Sequence, residues 1–174
     1  KLNNIQDPRN LINQTTIFTG DKNGSRDEDS GSITGTLTAN DVDGLSGAYL
    51  SLTSQASNGI ASITSTTNTN QFEGESTWTY TSNQDFFGSD SFIVTTTDDR
   101  SGTSPQVITI TITPVDDPVT FGGATSGTVV EDATTAISGT ITSTDVDDNF
   151  SGNYFSIGAA TNGAATLNQA TGEW

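Results

Sequence analysis

The sequence contains no cysteine, methionine or histidine among its 174 residues. Without cysteine it has neither a disulfide framework nor a thiolate metal site. Basic residues are also scarce, since 5 lysines and arginines face 21 aspartates and glutamates and leave a formal charge of −16. Nucleic acid and anionic membrane surfaces are therefore not expected as partners, because phosphate binding requires clustered Lys and Arg. The acidic excess must be solvated or neutralised by cations.

Hydrophobic residues are also few, at 30% of the chain. Low hydrophobicity with high net charge is a signature of disorder, but the alternating run Val-Ile-Thr-Ile-Thr-Ile at 107–112 favours a strand. No apolar run is long enough to span a bilayer and no signal peptide is present, so we expect no membrane insertion. Any export signal is expected outside this sequence.

A block of sequence recurs after about one domain length. Residues 33–43, ITGTLTANDVD, reappear 104 positions later as ISGTITSTDVD at 137–147. The segment 58–61, Asn-Gly-Ile-Ala, is matched at the same offset by Asn-Gly-Ala-Ala. A period of this length corresponds to a whole domain rather than to a solenoid turn. We predict a linker or insertion from a preceding repeat at 1–15, a first repeat at 16–117 and the N-terminal half of a second repeat at 118–174.

Short alternating segments separated by turn residues predict an all-β fold. Asn23-Gly24, Asp43-Gly44 and Asn58-Gly59 mark turns, and no segment has a convincing helical period. Seven strands in about a hundred residues predict tandem immunoglobulin-like or cadherin-like Greek-key β-sandwiches, the second incomplete. Half a sandwich exposes an open sheet edge, so repeat 2 is expected to take its missing strands from the rest of the natural chain or from a neighbouring molecule. The predicted strands are 16–20, 32–38, 48–53, 60–64, 77–81, 91–97 and 106–113.

Alternation along these strands also predicts which side chains face inward. Trp78 with Tyr80, Phe92 with Val94, and the isoleucines of the last strand each lie on a single face. We expect them to form the core. Trp78 is therefore interpreted as a packing residue before it is considered as a platform for sugar stacking.

If consecutive strands alternate in direction, the acidic loops divide between the two ends of repeat 1. So many carboxylates at close range repel one another. A hard divalent cation with six to eight oxygen ligands would neutralise them; Ca²⁺ fits this set better than Mg²⁺, which tends to retain water. The alternative is a solvated acidic surface. The lower acidic group comprises Glu28, Asp29, Asp85, Asp90, Asp116 and Asp117, with Asp145 and Asp147 of repeat 2 expected beside it; the upper acidic group comprises Asp41, Asp43, Asp98 and Asp99.

Several short motifs occur in a fixed order along the first repeat and into the linker. They are Glu-Asp at 28–29, Asp-Val-Asp at 41–43, Trp-Thr-Tyr at 78–80, Phe-x-Gly-x-Asp-Ser-Phe at 86–92, Thr-Asp-Asp at 97–99 and Val-Asp-Asp-Pro at 115–118. This ordered set resembles the cadherin-like tandem repeats of large bacterial surface proteins, a group that includes VCBS-type repeats and the repeats of RTX adhesins. The resemblance covers about residues 16–174.

The resemblance implies sandwiches in a row, secreted or on the bacterial surface, with Ca²⁺ stiffening each joint. It places Asp41 and Asp43 at the joint before repeat 1, and Asp98 and Asp99 within the same upper group. The joint between the two repeats would then be formed by Glu28, Asp85, Asp90, Asp116, Asp117, Asp145 and Asp147.

These observations predict a calcium-stabilised spacer or stalk of an extracellular adhesin or matrix protein, whose partners are the neighbouring repeats. One alternative is a module that binds a glycan or a cell-surface protein. Another is a self-assembling fibre subunit completed by strand exchange with like subunits. Enzymatic activity is not expected, because there is no His, Cys or zinc motif and a serine nucleophile would lack a positioned base. The aromatic residues available to a binding module are Tyr49, Trp78, Tyr80 and Tyr154.

Overall fold

The computed structural model describes residues 12–45, 47–147 and 152–174. The chain divides into two compact units, Lys1–Val115 and Asp116–Trp174, called unit 1 and unit 2 below. The described residues form strands, turns and irregular segments without any helix, so the predicted all-β class is confirmed. Accordingly, they include no helix that is long and apolar enough to cross a membrane. Most of the predicted 1–15 segment lies outside the described residues.

Unit 1 consists of two four-stranded sheets. The first sheet has the strand order β1-β3-β6-β5 and the second has the order β2-β8-β7-β4. Neighbouring strands are antiparallel except for β2 and β8, which are parallel. The strands are β1 Ile17–Gly20, β2 Asn23–Asp27, β3 Ile33–Asn40, β4 Leu50–Ser54, β5 Gly59–Asn70, β6 Glu73–Ser82, β7 Gly88–Thr97 and β8 Thr103–Thr113.

The core of unit 1 is formed by the alternate residues that face inward from the two sheets. In β8, Ile108, Ile110 and Ile112 are buried while the threonines between them are exposed. Fully burying a side chain of this size stabilises the fold by about 1.5–3 kcal/mol. The predicted core residues are confirmed, since all belong to one buried cluster: Trp78, Tyr80, Phe92, Val94, Ile108, Ile110 and Ile112.

The beginning of unit 1 departs from the prediction. Asn23-Gly24 was expected to form a turn, but it lies in β2, which pairs with β8. The chain crosses between the sheets at Gly20, whose φ of 90° favours glycine. Asp21 then pairs with Thr36 through its backbone N–H (2.7 Å to the carbonyl oxygen) and its carboxylate (2.9 Å from the amide). The predicted strand 16–20 is β1, and β2 is an additional strand that follows it after a sheet-switching corner.

Strand directions sort the loops of unit 1 between two ends. Strand β3 ends where β1 begins, because Ile17 pairs with Asn40. Strand β7 ends where β4 begins, because Leu50 pairs with Thr96. The loops that follow β3 and β7 lie side by side at this end. We call this the upper end. Strands β2, β6 and β8 run towards the opposite, lower end.

Unit 2 repeats the first half of this architecture on a smaller scale. Strands β9 (Thr120–Gly123) and β10 (Ile141–Thr144) form an antiparallel pair in which Gly123 faces Ile141. Gly123 has a φ of 77°, like the corner glycine of unit 1. The next residue, Ala124, donates to the carbonyl of Thr140 at 2.8 Å, as its counterpart does in unit 1. The sequence repeat is therefore also a repeat of backbone geometry.

Candidate metal centre

Three carboxylates meet at the upper end of unit 1. Asp41 follows the last residue of β3, Asp98 follows the last residue of β7, and Asp43 lies in the loop after β3. One oxygen from each of the three lies within 4.8 Å of the others. We call these residues the upper carboxylate cluster. Asp41 and Asp98 are only 3% and 6% exposed, so the cluster is largely shielded from the water that would normally solvate it.

Backbone turns fix two of these carboxylates. The loop after β3 folds back so that the N–H of Asp43 donates to Oδ1 of Asp41 at 2.8 Å, while Thr16 donates its hydroxyl to Oδ2 at 2.8 Å. The loop after β7 closes around Asp98, whose Oδ1 accepts the N–H groups of Arg100 and Gly102, each at 2.8 Å. These bonds orient the acids without neutralising them.

One cation partly compensates the upper carboxylate cluster. Nε of Arg100 lies 3.3 Å from Oδ1 of Asp43, whose side chain is 4% exposed. Three carboxylates and one guanidinium leave a formal excess of two negative charges. Two like charges about 5 Å apart cost on the order of 3 kcal/mol at an effective dielectric constant of about 20. The cluster therefore has both the ligand type and the charge excess that suit a divalent cation.

The fourth member of the upper acidic group, Asp99, lies beside the cluster. Its backbone N–H donates to the carbonyl of Gly44 at 2.9 Å, and a side-chain carbon added at Gly44 would come within 2.5 Å of its carboxylate oxygen. Asp99 thus packs along the loop after β3, and it is not one of the three mutually close carboxylates.

The lower end of unit 1 contains a buried acid with an unsatisfied oxygen. Glu28 is 3% exposed. Its Oε1 accepts the N–H of Val115 at 2.7 Å, whereas its buried Oε2 has no hydrogen-bond partner in the described part of the chain. A buried polar atom without a partner costs about 1–3 kcal/mol, and more when it is charged. A bound cation would satisfy this oxygen.

Asp29 and Asp85 also meet at the lower end. The N–H of Asp85 donates to Oδ1 of Asp29 at 3.2 Å. Both residues adopt left-handed backbone conformations, with φ values of 54° and 56°, which Asp tolerates better than most residues. Two acids of the predicted lower group are thus linked to each other by the backbone of unit 1.

Asp90 has a different environment. Its carboxylate accepts four hydrogen bonds, from the N–H groups of Ser57 (3.1 Å), Asn58 (2.7 Å) and Ser91 (2.8 Å) and from the hydroxyl of Tyr80 (2.9 Å). Burial alone would raise the pKa of Asp90, but these hydrogen bonds outweigh it and lower the pKa. Among the described residues Asp90 belongs to no group of three close carboxylates; it holds the turn between β4 and β5.

The acids of unit 2 repeat part of the upper arrangement. The N–H of Asp147 donates to Oδ1 of Asp145 at 3.0 Å, as that of Asp43 does to Asp41. The N–H of Asp117 donates to Oδ2 of Asp147 at 2.8 Å, while the buried Oδ1 of Asp147 has no hydrogen bond to any described residue. Asp116 is exposed. That these residues complete a joint with the lower end of unit 1 stays a prediction.

The aromatic residues considered for a binding module are mostly in the core. Tyr49, Trp78 and Tyr80 are at most 2% exposed, whereas Tyr154 is 42% exposed. Burial raises the pKa of both Tyr49 and Tyr80, and the neighbouring Asp90 adds to the effect at Tyr80. In unit 1 these three rings therefore present no stacking surface for a sugar.

Sequence reasoning did not identify two residues beside the upper carboxylate cluster. Arg100 and Thr16 contact its acids directly, yet neither was singled out. The available signal was the run Thr-Asp-Asp-Arg at 97–100, in which a lone basic residue follows a pair of acids in a chain that has few basic residues.

Comparison with known proteins identifies the architecture of unit 1. A family model described as a bacterial Ig domain matches residues 13–111, more than half of the chain. No curated protein matched the sequence. The match supports an immunoglobulin-like or cadherin-like bacterial repeat, and the narrower assignment to VCBS-type or RTX adhesin repeats stays a prediction. The buried sandwich core, the sheet-switching first strand and this match together show that the chain belongs to the bacterial Ig domain family.

Proposed function

We propose that this chain is a structural repeat of an extracellular bacterial protein, and that Ca²⁺ bound by its acidic loops stabilises it. The observation that carries the proposal is the upper carboxylate cluster, in which Asp41, Asp43 and Asp98 converge within 4.8 Å in a largely buried setting. Bacterial Ig domains commonly occur in surface proteins, which accords with a spacer or stalk.

The donor chemistry favours calcium over other metals. The cluster offers carboxylate oxygens, and the hydroxyl oxygen of Thr16 lies beside them, 2.8 Å from Oδ2 of Asp41. Hard oxygen ligands suit Ca²⁺ and Mg²⁺, but Ca²⁺ accepts larger and less regular ligand sets. With neither cysteine nor histidine in the chain, a zinc or copper site has no preferred ligands.

The lower end supports the same role for a different reason. Glu28 retains a buried oxygen that no hydrogen bond satisfies, and Asp29 and Asp85 lie at the same end. The sequence predicts Asp117, Asp145 and Asp147 of unit 2 as further ligands. We propose that these acids bind Ca²⁺ at the joint between successive repeats and stiffen it.

A calcium titration tests the proposal. Extracellular modules bind Ca²⁺ with Kd of about 10⁻⁴–10⁻³ M, and a ligand at 100 times its Kd stabilises the folded state by about 2.7 kcal/mol. We expect the melting temperature of the chain to rise through millimolar Ca²⁺ and to rise less with Mg²⁺. A melting temperature that is identical in millimolar Ca²⁺ and in chelator would refute the proposal.

Matched variants locate the effect. Asp41→Asn with Asp98→Asn keeps the shape of the side chains and one acceptor oxygen in each but removes two charges, so it should abolish the part of the stabilisation that arises there. Glu75→Gln, on the exposed face of β6, removes a charge outside the cluster and should leave the response unchanged. Equal responses in the two variants would show that the upper cluster does not bind the ion.

A further inference from the structure

A pocket of about 320 Å³ opens at the upper end of unit 1, and we call it the upper pocket. It lies where β1 begins and β3 ends, since Ile17 and Asn40, which pair with each other, both line it. Phe72, in the turn between β5 and β6, closes another side. Ligand pockets usually enclose about 300–1,000 Å³, so the upper pocket has the size for a small ligand.

One wall of the upper pocket is apolar and faces solvent. It is formed by Ile17, Val42 and Phe72, which are 65%, 73% and 46% exposed. Single exposed hydrophobic side chains are common on protein surfaces, but here three of them border one pocket in a chain that is only 30% hydrophobic. Phe72 therefore offers the open aromatic ring that the buried tyrosines and tryptophan of the core cannot offer.

The other wall is polar and has no positive charge. Its groups include the amides of Gln14 and Asn40 and the carboxylate of Asp41, and none of the described residues that line the pocket is basic. Each oxygen of Asp41 accepts one hydrogen bond, from the N–H of Asp43 and from the hydroxyl of Thr16. An ionised carboxylate has about four acceptor sites, so Asp41 can accept further hydrogen bonds from a ligand.

The two walls are connected through the backbone. The carbonyl of Phe72 accepts the N–H of Asp41 at 2.8 Å. The N–H of Phe72 donates to Oδ1 of Asn70 at 2.8 Å. These bonds fix the turn that carries the aromatic ring to the loop that carries the carboxylate. The pocket is thus formed before a ligand arrives, which lowers the entropic cost of binding.

We propose that the upper pocket binds a neutral saccharide. The C–H face of a sugar ring would pack on Phe72, while its hydroxyl groups would bond to Asn40 and Asp41. A hydroxyl group both donates and accepts, so it can satisfy the amides as well as the carboxylate, whereas an ammonium group only donates and would leave the amide N–H groups without an acceptor. An anionic ligand would be repelled by Asp41 and by the formal charge of −16.

Methyl glycosides of glucose, galactose, mannose and N-acetylglucosamine, titrated into the full chain in chelator, test the proposal. We expect at least one of them to cause saturable NMR shifts of the backbone amides at 14–17, 40–42 and 72. The Kd should be about 1 mM, because a single sugar has few atoms with which to make contacts. The proposal would be overturned if none of the four glycosides produced a saturable shift at these positions.

A matched pair of variants locates the binding. Phe72→Ser removes the ring from the upper pocket and should weaken binding at least tenfold. Phe87→Ser removes a ring of nearly the same exposure, 45%, from the loop between β6 and β7 at the lower end, and should leave the Kd unchanged. Phe72→Tyr keeps an aromatic face and should retain binding. Equal affinities of the two serine variants would contradict the proposal.

Charged sugars test the class of ligand. The methyl glycoside of glucuronic acid should not bind, and that of glucosamine with its amine protonated should bind no more tightly than the neutral sugars. Binding of the acid as tightly as a neutral sugar would refute the assignment, as would binding of the amine alone. Because every titration is made in chelator, a negative result here leaves the calcium response of the proposed function to be judged separately.

Discussion

Arg100 and Asp43 form an ion pair of 3.3 Å within a cluster of three carboxylates. The guanidinium supplies part of the positive charge that a bound cation would otherwise supply. It belongs to a loop whose backbone is fixed on Asp98, since the N–H of Arg100 donates to that carboxylate. Arg100 is therefore a built-in counter-ion of the upper carboxylate cluster, and it should compete with any metal that binds there.

Replacing this arginine should strengthen calcium binding. The side chain is 31% exposed, and an exposed ion pair contributes only about 0.2–1 kcal/mol. We expect Arg100→Gln to tighten Ca²⁺ binding at the upper cluster by up to about fivefold in calorimetric titration, since about 1.4 kcal/mol corresponds to a factor of ten. Without calcium the variant should melt at a lower temperature. Arg26→Gln, which removes a cation that contacts Ser30 and Ser32 instead, is the control and should not change the affinity.

Glu28 should respond to calcium in the opposite way. Its Oε2 is buried without a partner, so a neutral amide should be tolerated better than the carboxylate when no cation is present. We expect Glu28→Gln to melt at or above the temperature of the unsubstituted chain in chelator and to gain less on addition of Ca²⁺. Thermal scans with and without calcium measure both effects. A variant that is destabilised equally in both conditions would show that Glu28 acts through its bond to Val115 alone.

Asp90 should give the fold a dependence on pH. Its folded pKa is lowered, so its contribution to stability is present above the ordinary carboxyl value of about 3.9 and is lost as pH falls through the folded value. Asp90→Asn should cost about 1–3 kcal/mol at neutral pH, because the buried amide donors then lose a charged acceptor. The difference from the unsubstituted chain should shrink near pH 3. Denaturant unfolding at both pH values measures it, and a constant difference would contradict the assignment.

The tryptophan positions can be tested in both units with the same substitution. A methyl group at Gly35 would meet the indole of Trp78 at 2.2 Å, so Gly35→Ala should destabilise unit 1 by about 1–3 kcal/mol through overpacking. Gly139→Ala, facing Trp174 at 2.8 Å, should destabilise unit 2 less, because Trp174 is only partly buried whereas Trp78 is fully buried. Thr34→Ala, on the exposed face of β3, is the control. Hydrogen exchange separates the two units.

The sandwich and its core could be predicted because alternation determines which side chains face inward. In β8 every second residue from Ile108 is apolar, and this pattern alone locates the three core residues of that strand. The start of unit 1 could not be predicted in the same way. Asn-Gly is a strong turn signal, but Asn23 and Gly24 pair with β8 in a strand. The glycine is there because the ring of Trp78 and the side chain of Ile33 leave no space for a larger residue.

The candidate site shows a similar limit. The predicted strand directions were enough to group Asp41, Asp43 and Asp98. Asp41 and Asp98 directly follow strands that end at the upper end, and Asp43 lies in the loop after Asp41. The sequence could not show that the carboxylate of Asp90 accepts four hydrogen bonds, because three of the donors come from distant parts of the chain, the β4–β5 turn and β6. Nor could it show that Arg100 turns back towards Asp43, which depends on how the loop closes at Gly102.

The parallel pairing of β2 with β8 determines how unit 1 would respond to tension. β2 lies near the start of the unit and β8 at its end, and they run side by side in the same direction from Asn23 opposite Thr109 to Asp27 opposite Thr113. A pull on the two ends of the unit would slide these strands past each other lengthwise. The backbone hydrogen bonds between them would then share the force and would have to break together, whereas an antiparallel hairpin pulled from its open end loses them one at a time.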